Sequence, residues 1–345
     1  ALEAKAAEES AFSKAIDQLV TQVVPLAHIS FLDAALGQQI AIEALCKEPS
    51  QTSLGAARTQ FSELVLAWSK IELYRFGPAR EDNRFEQLFY WPDRKGRGLR
   101  QVQALLNTED PSAASAESLS QKSVAVKGLP ALEFVLFGTG SENLAAGDDY
   151  RCSYATALTE VVYLNAATLQ DNWSASDGFG KAMRDAGTDR SPYQSHAEAV
   201  QDFVRAASEQ LQVVRDLKIG ASIGETPEKA KPKRAPFWRS NLTLATMRGN
   251  LDGVSALMDG GLADLLPPEH RSLAEGLNFE IAQARAVLEE LESTGEDWID
   301  LAAEAEGHQR LSYAMIPLAG SIRIVADRMP GALGLVLGFN SLDGD

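Results

Sequence analysis

The amino-acid sequence predicts an all-α fold built from long amphipathic helices. Ala, Leu, Glu and Gln dominate the chain, and apolar residues recur at helical spacing, as at Ile16, Val20 and Val23. We find no region rich in strand patterns. Hydrophobic residues make up 45% of the 345 residues, which is enough for a sizeable core. These observations predict helical bundles with polar outer faces.

Proline, glycine or polar stretches bound each predicted helix. Pro25 predicts a kink or two helices within the first segment, and Pro317 is expected to break the last one. The helical segments are 10–45, 54–74, 99–106, one beginning at Pro130, 150–175, 195–217, 238–258, 268–291 and 295–328. Segments 79–98, 138–149, 178–193 and 220–236 are predicted connections or loops, and 110–120 is a linker or a short helix.

Segment 128–138 carries one carboxylate, Glu133, in an otherwise apolar run bracketed by glycines. An ionised carboxylate is rarely buried without a partner, because leaving water is costly. Pro130 suits the first turn of a helix, which would place Glu133 near the positive end of the helix dipole. Two interpretations stay open: Glu133 is a structural residue that pairs with an arginine, or it belongs to a functional site.

The same segment resembles the Gly-x-His-x-x-Glu motif of the imelysin-like proteins. Gly128 and Glu133 match the Gly and the Glu, whereas Pro130 occupies the position of the His. A His and a Glu three residues apart project from one helix face and could share a metal ion or a proton. Proline can do neither, so half of the family's motif pair is missing from this sequence.

The resemblance extends over most of the chain. Segments 72–78, 90–93, 237–244 and 338–345 are also similar to family elements. The resemblance implies two helical-bundle halves related by an ancient duplication, with the motif near their interface. We therefore expect halves at 1–150 and 151–345. It further implies an exported protein linked to iron acquisition, in a branch often described as periplasmic lipoproteins.

A binding site around Glu133 is the functional interpretation that we favour. Glu72, Arg75 and Arg239 lie in family-like segments at helix ends and are expected to face Glu133, although an Arg–carboxylate pair could be purely structural. Trp91 and Trp238 are expected either to wall a pocket or to lie in the core. The predicted ligand-binding residues are Gly128, Pro130, Glu133, Glu72, Arg75, Arg239 and Trp238.

The expected ligand is a metal ion or a small molecule. Glu133 is the best candidate for a metal ligand, with iron or another divalent cation as the metal. The terminal Asp343 and Asp345 are either oxygen ligands for a hard cation or an exposed acidic tail. The net charge of −16 excludes nucleic acid as a partner, because phosphate binding needs clustered Lys and Arg.

Two other functions remain open beside a binding or accessory role. One is an imelysin-type metallopeptidase, and the other is a non-catalytic structural or interaction protein. Zinc peptidase chemistry needs two or three His or carboxylate ligands and a general base, but the His-Glu-x-x-His pattern is absent. The four histidines, His28, His196, His270 and His308, lie in separate segments. His28 lies on an apolar helix face and is expected in the core or a groove, whereas the other three are expected at the surface. We therefore expect no catalytic residues.

The numbering begins at Ala1 rather than Met, which suggests a processed or trimmed chain. We expect the periplasm or cell envelope of a bacterium, with a lipid as the membrane attachment and other iron-uptake proteins as partners. No stretch is expected to be long and apolar enough to span a membrane. Cys46 and Cys152 are either one disulfide that links distant helices or two buried thiols.

Overall fold

A computed structural model describes residues 2–335, with side chains described from residue 7. Every regular element within that range is helical, so the predicted all-α fold is confirmed. The α-helices are α1 Leu2–Gln18, α2 Val24–Lys47, α3 Gln51–Ile71, α4 Arg84–Leu88, α5 Arg97–Thr108, α6 Ala116–Ser120, α7 Gly128–Phe137, α8 Asp149–Ser174, α9 Phe179–Arg184, α10 His196–Gln212, α11 Ala221–Ile223, α12 Thr243–Leu257, α13 Ser272–Ser293, α14 Trp298–Ala303, α15 Ala305–Ile322 and α16 Met329–Ala332.

Wider and tighter helical turns join or extend these helices. The π segments are Leu19–Val23, Val213–Gly220, Met258–Leu262 and Arg323–Arg328. The 3₁₀ segments are Gly77–Ala79, Glu81–Asn83, Pro111–Ala113, Val124–Val126, Ser141–Ala146, Pro227–Lys229, Pro232–Arg234, Ala263–Leu265 and Pro268–His270.

Both prolines that were expected to interrupt helices lie inside continuous helical stretches. Ahead of Pro25, the π segment Leu19–Val23 joins α1 to α2. A proline ring crowds the carbonyl four residues earlier, and a wider π turn at that point accommodates it. Pro317 lies within α15, so the predicted break there is wrong. The break instead falls at Glu304, whose extended backbone separates α14 from α15.

The first long helical stretch corrects the expectation about membrane spans. The continuous helix over residues 7–47 is long and apolar enough to cross a membrane by length and composition, and 33% of its apolar window is buried. In this fold its α2 part packs against α3 and α8. Core helices of soluble proteins and signal sequences meet the same criterion of length and composition.

The core runs through both predicted halves of the chain. Helix α8 begins at the predicted boundary and packs against α2 and α7, while α12 packs against α3 and α13.

Cys46 at the end of α2 is bonded to Cys152 at the start of α8, with their Cα atoms 5.6 Å apart. Of the two alternatives for the cysteines, the structure has the disulfide. Asp343 and Asp345 lie outside the described residues.

One helix begins later than the sequence pattern predicts, and the difference positions the candidate site. The predicted helix 238–258 begins at Thr243, because residues 237–241 form an irregular turn. Phe237 and Asn241 adopt the left-handed conformation, with φ of 57° and 56°. The turn places Ser240 against α7.

Candidate functional site

The motif helix α7 begins at a glycine because two backbone carbonyls leave no room for a side chain. Gly128 has φ +73°, and a Cβ built there would lie 2.3 Å from the carbonyl oxygen of Leu88 and 2.4 Å from that of Gln87. A larger residue would both strain the backbone and push α7 away from the end of α4. Gly128 therefore fixes the start of α7 and does not contribute a ligand group.

Glu133 lies one turn along α7 and is 3% exposed. Its Oε1 accepts hydrogen bonds from the backbone N–H of Ser240 at 2.9 Å and from the Ser240 hydroxyl at 2.8 Å. Burial raises the pKa of the Glu133 carboxyl, although the Ser240 donors and the Arg239 charge oppose the rise. The carboxyl group thus ties α7 to the turn that precedes α12.

The Arg239 guanidinium lies over two aromatic rings. Its guanidinium carbon lies 4.2 Å from the ring centroid of Trp238 and 5.3 Å from that of Phe134. The Lys233 ammonium lies 5.2 Å from the same Trp238 ring. Such cation–π contacts fix the plane of a guanidinium without using its N–H donors. Burial lowers the pKa of Arg239, and the nearby Glu133 opposes that shift.

A cavity of about 540 Å³ lies beside these residues. Its lining includes Pro130 and Glu133 of α7, together with parts of segments 89–102 and 217–239. The lining therefore includes residues from both predicted halves of the chain, 1–150 and 151–345. Its aromatic residues are Phe89, Tyr90, Trp91, Phe134, Phe237 and Trp238. The indole N–H of Trp91 donates to the Arg234 carbonyl at 2.9 Å, which joins the two long segments across the cavity.

Basic residues outnumber acidic ones around the cavity. Arg94, Lys233, Arg234 and Arg239 line it, and none of them forms an ion pair with a carboxylate of residues 7–335, whose side chains the structure describes. The acidic lining residues are Asp93 and Glu133. The Asp93 carboxylate accepts hydrogen bonds from three backbone N–H groups at the start of α5, at 2.8, 2.9 and 3.2 Å. Both carboxyl groups are therefore already engaged by donors of the protein itself.

Glu72 and Arg75 belong to a different polar cluster. The Lys218 ammonium donates to Glu72 Oε2 at 2.6 Å and to Asn250 Oδ1 at 2.6 Å, and Arg75 donates to Glu72 Oε1 at 2.9 Å. Glu72 and Lys218 are both 0% exposed. Burial alone would raise the pKa of Glu72, yet the Lys218 and Arg75 cations hold it below its usual value.

This second cluster lies behind the aromatic wall of the cavity. The Lys218 ammonium is 5.8 Å from the ring centroid of Phe89 and 5.7 Å from that of Trp91. Arg75 lines another cavity, of about 460 Å³, which shares residues 89–92 with the first. The structure therefore brings Arg239, Trp238 and Pro130 together with Glu133, and places Glu72 and Arg75 on the other side of that wall.

The residues around Glu133 do not fit a bound metal ion. Pro130 offers no ligand at the motif position, and Glu133 Oε1 already accepts two hydrogen bonds from Ser240. The Arg239 charge acts on the carboxyl group and three more cations line the same cavity, which opposes the approach of another cation. Within the described range, no group of three His, Cys, Asp or Glu side chains is arranged to hold a metal.

The histidines do not add ligands at this site. His28 is buried, as expected, and its Nδ1 lies 2.8 Å from the Val24 carbonyl oxygen. Burial lowers its pKa to about 4. His308, expected at the surface, is also buried at 8% exposure, so that expectation is wrong.

Several residues of the site were missed in the sequence. Ser240 lies in a family-like segment but carries no charge or other local signal, and Lys233 and Arg234 lie in the predicted loop 220–236, which has no helical periodicity. A signal was present, because Lys229, Lys231, Lys233, Arg234 and Arg239 fall within eleven residues of an acidic chain. The sequence around Lys218 contains no comparable cluster of basic residues.

Comparison with known proteins agrees with the architecture. A crystal structure of an imelysin-like protein from Psychrobacter arcticum superposes with a TM-score of 0.77 at 18% identity, covering 96% of this chain and 98% of that chain. A protein from Parabacteroides distasonis, provisionally named an iron-regulated protein A precursor, gives a TM-score of 0.73 at 14% identity, covering 92% and 94%. No curated protein matches the sequence. The imelysin family model of the M75 peptidase group matches residues 27–324, and the chain therefore belongs to the imelysin family.

Proposed function

We propose that this protein is a non-catalytic binding component of iron acquisition in the bacterial cell envelope. Its ligand would occupy the cavity beside α7. The observation that carries this proposal is the preformed, aromatic-walled cavity of about 540 Å³ next to the motif helix. Cavities of this size, mostly apolar with a few convergent polar groups, are the usual form of small-molecule sites.

The link to iron and to the envelope has two supports. The similar protein from Parabacteroides distasonis carries the name of an iron-regulated protein precursor. The Cys46–Cys152 disulfide is typical of oxidising compartments such as the periplasm. Other iron-uptake proteins would then be partners, and a lipid would supply any attachment to the membrane.

A binding role accounts for the site better than peptidase chemistry does. Hydrolysis by a metallopeptidase needs a metal-bound water and a general base. The residues around Glu133 do not fit a metal, and the Glu133 carboxyl is bound to Ser240. A ligand held between aromatic and basic side chains requires neither group.

Iron accumulation in the source bacterium tests the proposal. Deleting the chain should reduce iron uptake under iron limitation, and the wild type should restore it. Ala221 lines the cavity, so Ala221→Trp places an indole ring in it and should fail to restore uptake. Ala256→Trp, on the exposed face of α12, is the control and should restore uptake. Equal restoration by both variants would contradict the cavity's role. Cleavage of casein by the purified protein would contradict the non-catalytic assignment.

A further inference from the structure

We propose that the cavity beside α7 binds a small organic anion that carries an aromatic ring, through the cations of segment 233–239. This inference rests on the proposed function, because it names the ligand class of the same cavity. It also replaces the metal ion, which the residues around Glu133 do not fit, with a ligand of the opposite charge.

The distribution of charge supports an anionic ligand. The chain has 48 acidic and 32 basic residues, and some of the cations elsewhere, such as Arg248, Arg285 and Arg310, lie in ion pairs. Among the described side chains, those of residues 7–335, the four cations of this cavity form no ion pair, and both acidic lining residues are held by the protein's own donors. Cations gathered in a concave site raise the local concentration of anions.

The geometry of Arg239 suits a carboxylate. Its guanidinium is stacked against Trp238 and Phe134, and no described residue accepts a hydrogen bond from it. A guanidinium carries five N–H donors in a planar fork, which matches the two oxygens of a carboxylate. The stacking fixes this fork before a ligand arrives, which lowers the entropic cost of binding.

The aromatic side chains that line the cavity suit a ligand with an aromatic ring. Phe89 stacks on Trp91 at 5.7 Å and on Phe237 at 5.5 Å, and all three rings line the cavity. A ligand with an aromatic ring would extend these stacking contacts. Carboxylate and phenolate oxygens are also hard ligands that suit iron. Iron would therefore reach this cavity as an anionic chelate rather than as a bare ion.

Calorimetric titration of the metal-free protein tests the inference, with benzoate and salicylate as anions and benzyl alcohol as the neutral analogue. We expect the anions to bind at least about tenfold more tightly than benzyl alcohol. Lys233→Gln/Arg234→Gln should weaken anion binding by at least about tenfold. The matched control, Lys229→Gln/Lys231→Gln, removes the same charge from exposed residues of the same loop outside the cavity. It should bind like the wild type.

Four results would overturn the inference, and the last of them would also contradict the proposed function. The first is equal affinity for benzyl alcohol and benzoate, and the second is unchanged anion binding by Lys233→Gln/Arg234→Gln. The third is saturable binding of ferrous or zinc ions that is lost in Glu133→Ala, without any anion binding. That third result would leave the proposed function standing with a metal as ligand. If anions, benzyl alcohol and metal ions all fail to bind, both the inference and the proposed function are contradicted.

Discussion

The Glu133 carboxyl group and Ser240 are joined by two hydrogen bonds across 107 residues of sequence. The contact ties the motif helix α7 to the turn that carries Trp238 and Arg239. Because Arg239 neighbours Ser240, the same contact sets where its guanidinium enters the cavity. Glu133 thus acts through the turn that it holds, and it does not need to touch a ligand to matter for binding.

Substitutions of Glu133 should separate its hydrogen bonds from its charge. Glu133→Gln keeps an acceptor for both Ser240 donors, and burial already favours the neutral acid, so we expect a change within about 1 kcal/mol. Glu133→Leu removes the acceptor of the half-buried Ser240 backbone N–H and leaves the Ser240 hydroxyl only the Phe237 carbonyl, at 3.2 Å, so it should cost about 1–3 kcal/mol. Urea unfolding measures both values. A Glu133→Leu protein more stable than the wild type would show that the contact is not stabilising.

Lys218 should be among the residues least tolerant of substitution. Lys218→Met removes one cation from the buried Glu72 and should destabilise the fold by about 3–5 kcal/mol. Adding Glu72→Gln should recover part of that loss, because the double variant no longer buries a Glu72 carboxylate that lacks its Lys218 partner. Lys229→Met, at an exposed ion pair, is the control and should stay within about 0.5 kcal/mol. Equal effects of the two lysine substitutions would contradict this assignment.

His28 should make the protein less stable in acid. Burial lowers its folded pKa to about 4 from 6.5, so the unfolded chain binds the proton more readily between these values. The contribution of neutral His28 to the free energy of unfolding is fully present above pH 6.5 and falls as the pH drops towards 4. At pH 5 the loss relative to pH 8 is about 2 kcal/mol. In His28→Phe, the urea-measured difference between pH 5 and pH 8 should shrink by that amount, and an unchanged difference would exclude His28 as its source.

The disulfide should contribute to stability without contributing to binding. The bond joins residues 106 apart, and closing a loop of that length stabilises a fold by about 4–5 kcal/mol in the chain-entropy treatment. Cys46→Ser/Cys152→Ser should therefore lower the free energy of unfolding by about 2–5 kcal/mol. Neither cysteine lines the cavity, so benzoate affinity should be unchanged. A large loss of affinity in the folded variant would mean that the two regions are coupled.

Periodicity in the sequence predicted the long helices well, because each buries an apolar face at a spacing that local sequence records. The points at which helices are interrupted were harder to predict from the sequence. Pro25 and Pro317 are locally unfavourable inside helices, but a π turn beside Pro25 and the packing of α15 accommodate them. The segment 237–241 carried a helical pattern, yet its contact with α7 holds it as a turn.

The candidate site was predictable in part. Glu133 and Trp238 stood out as a lone carboxylate in an apolar run and as an aromatic in a family-like segment. Their arrangement depends on contacts between segments about a hundred residues apart, which no local pattern records. For that reason Arg75 was expected beside Glu133 although it pairs with Glu72. The sequence could not show the positive charge of the cavity, because Arg94 and the basic segment 233–239 line the same cavity only in the folded chain.

A crystal structure of the protein with para-bromobenzoate, whose bromine is located by anomalous scattering, would show directly whether the cavity binds an aromatic anion. We expect one bromine peak in the cavity beside α7, with the carboxylate hydrogen-bonded to Arg239. A fully occupied ligand at another site, or a clear map of the cavity without the ligand at saturating concentration, would contradict it.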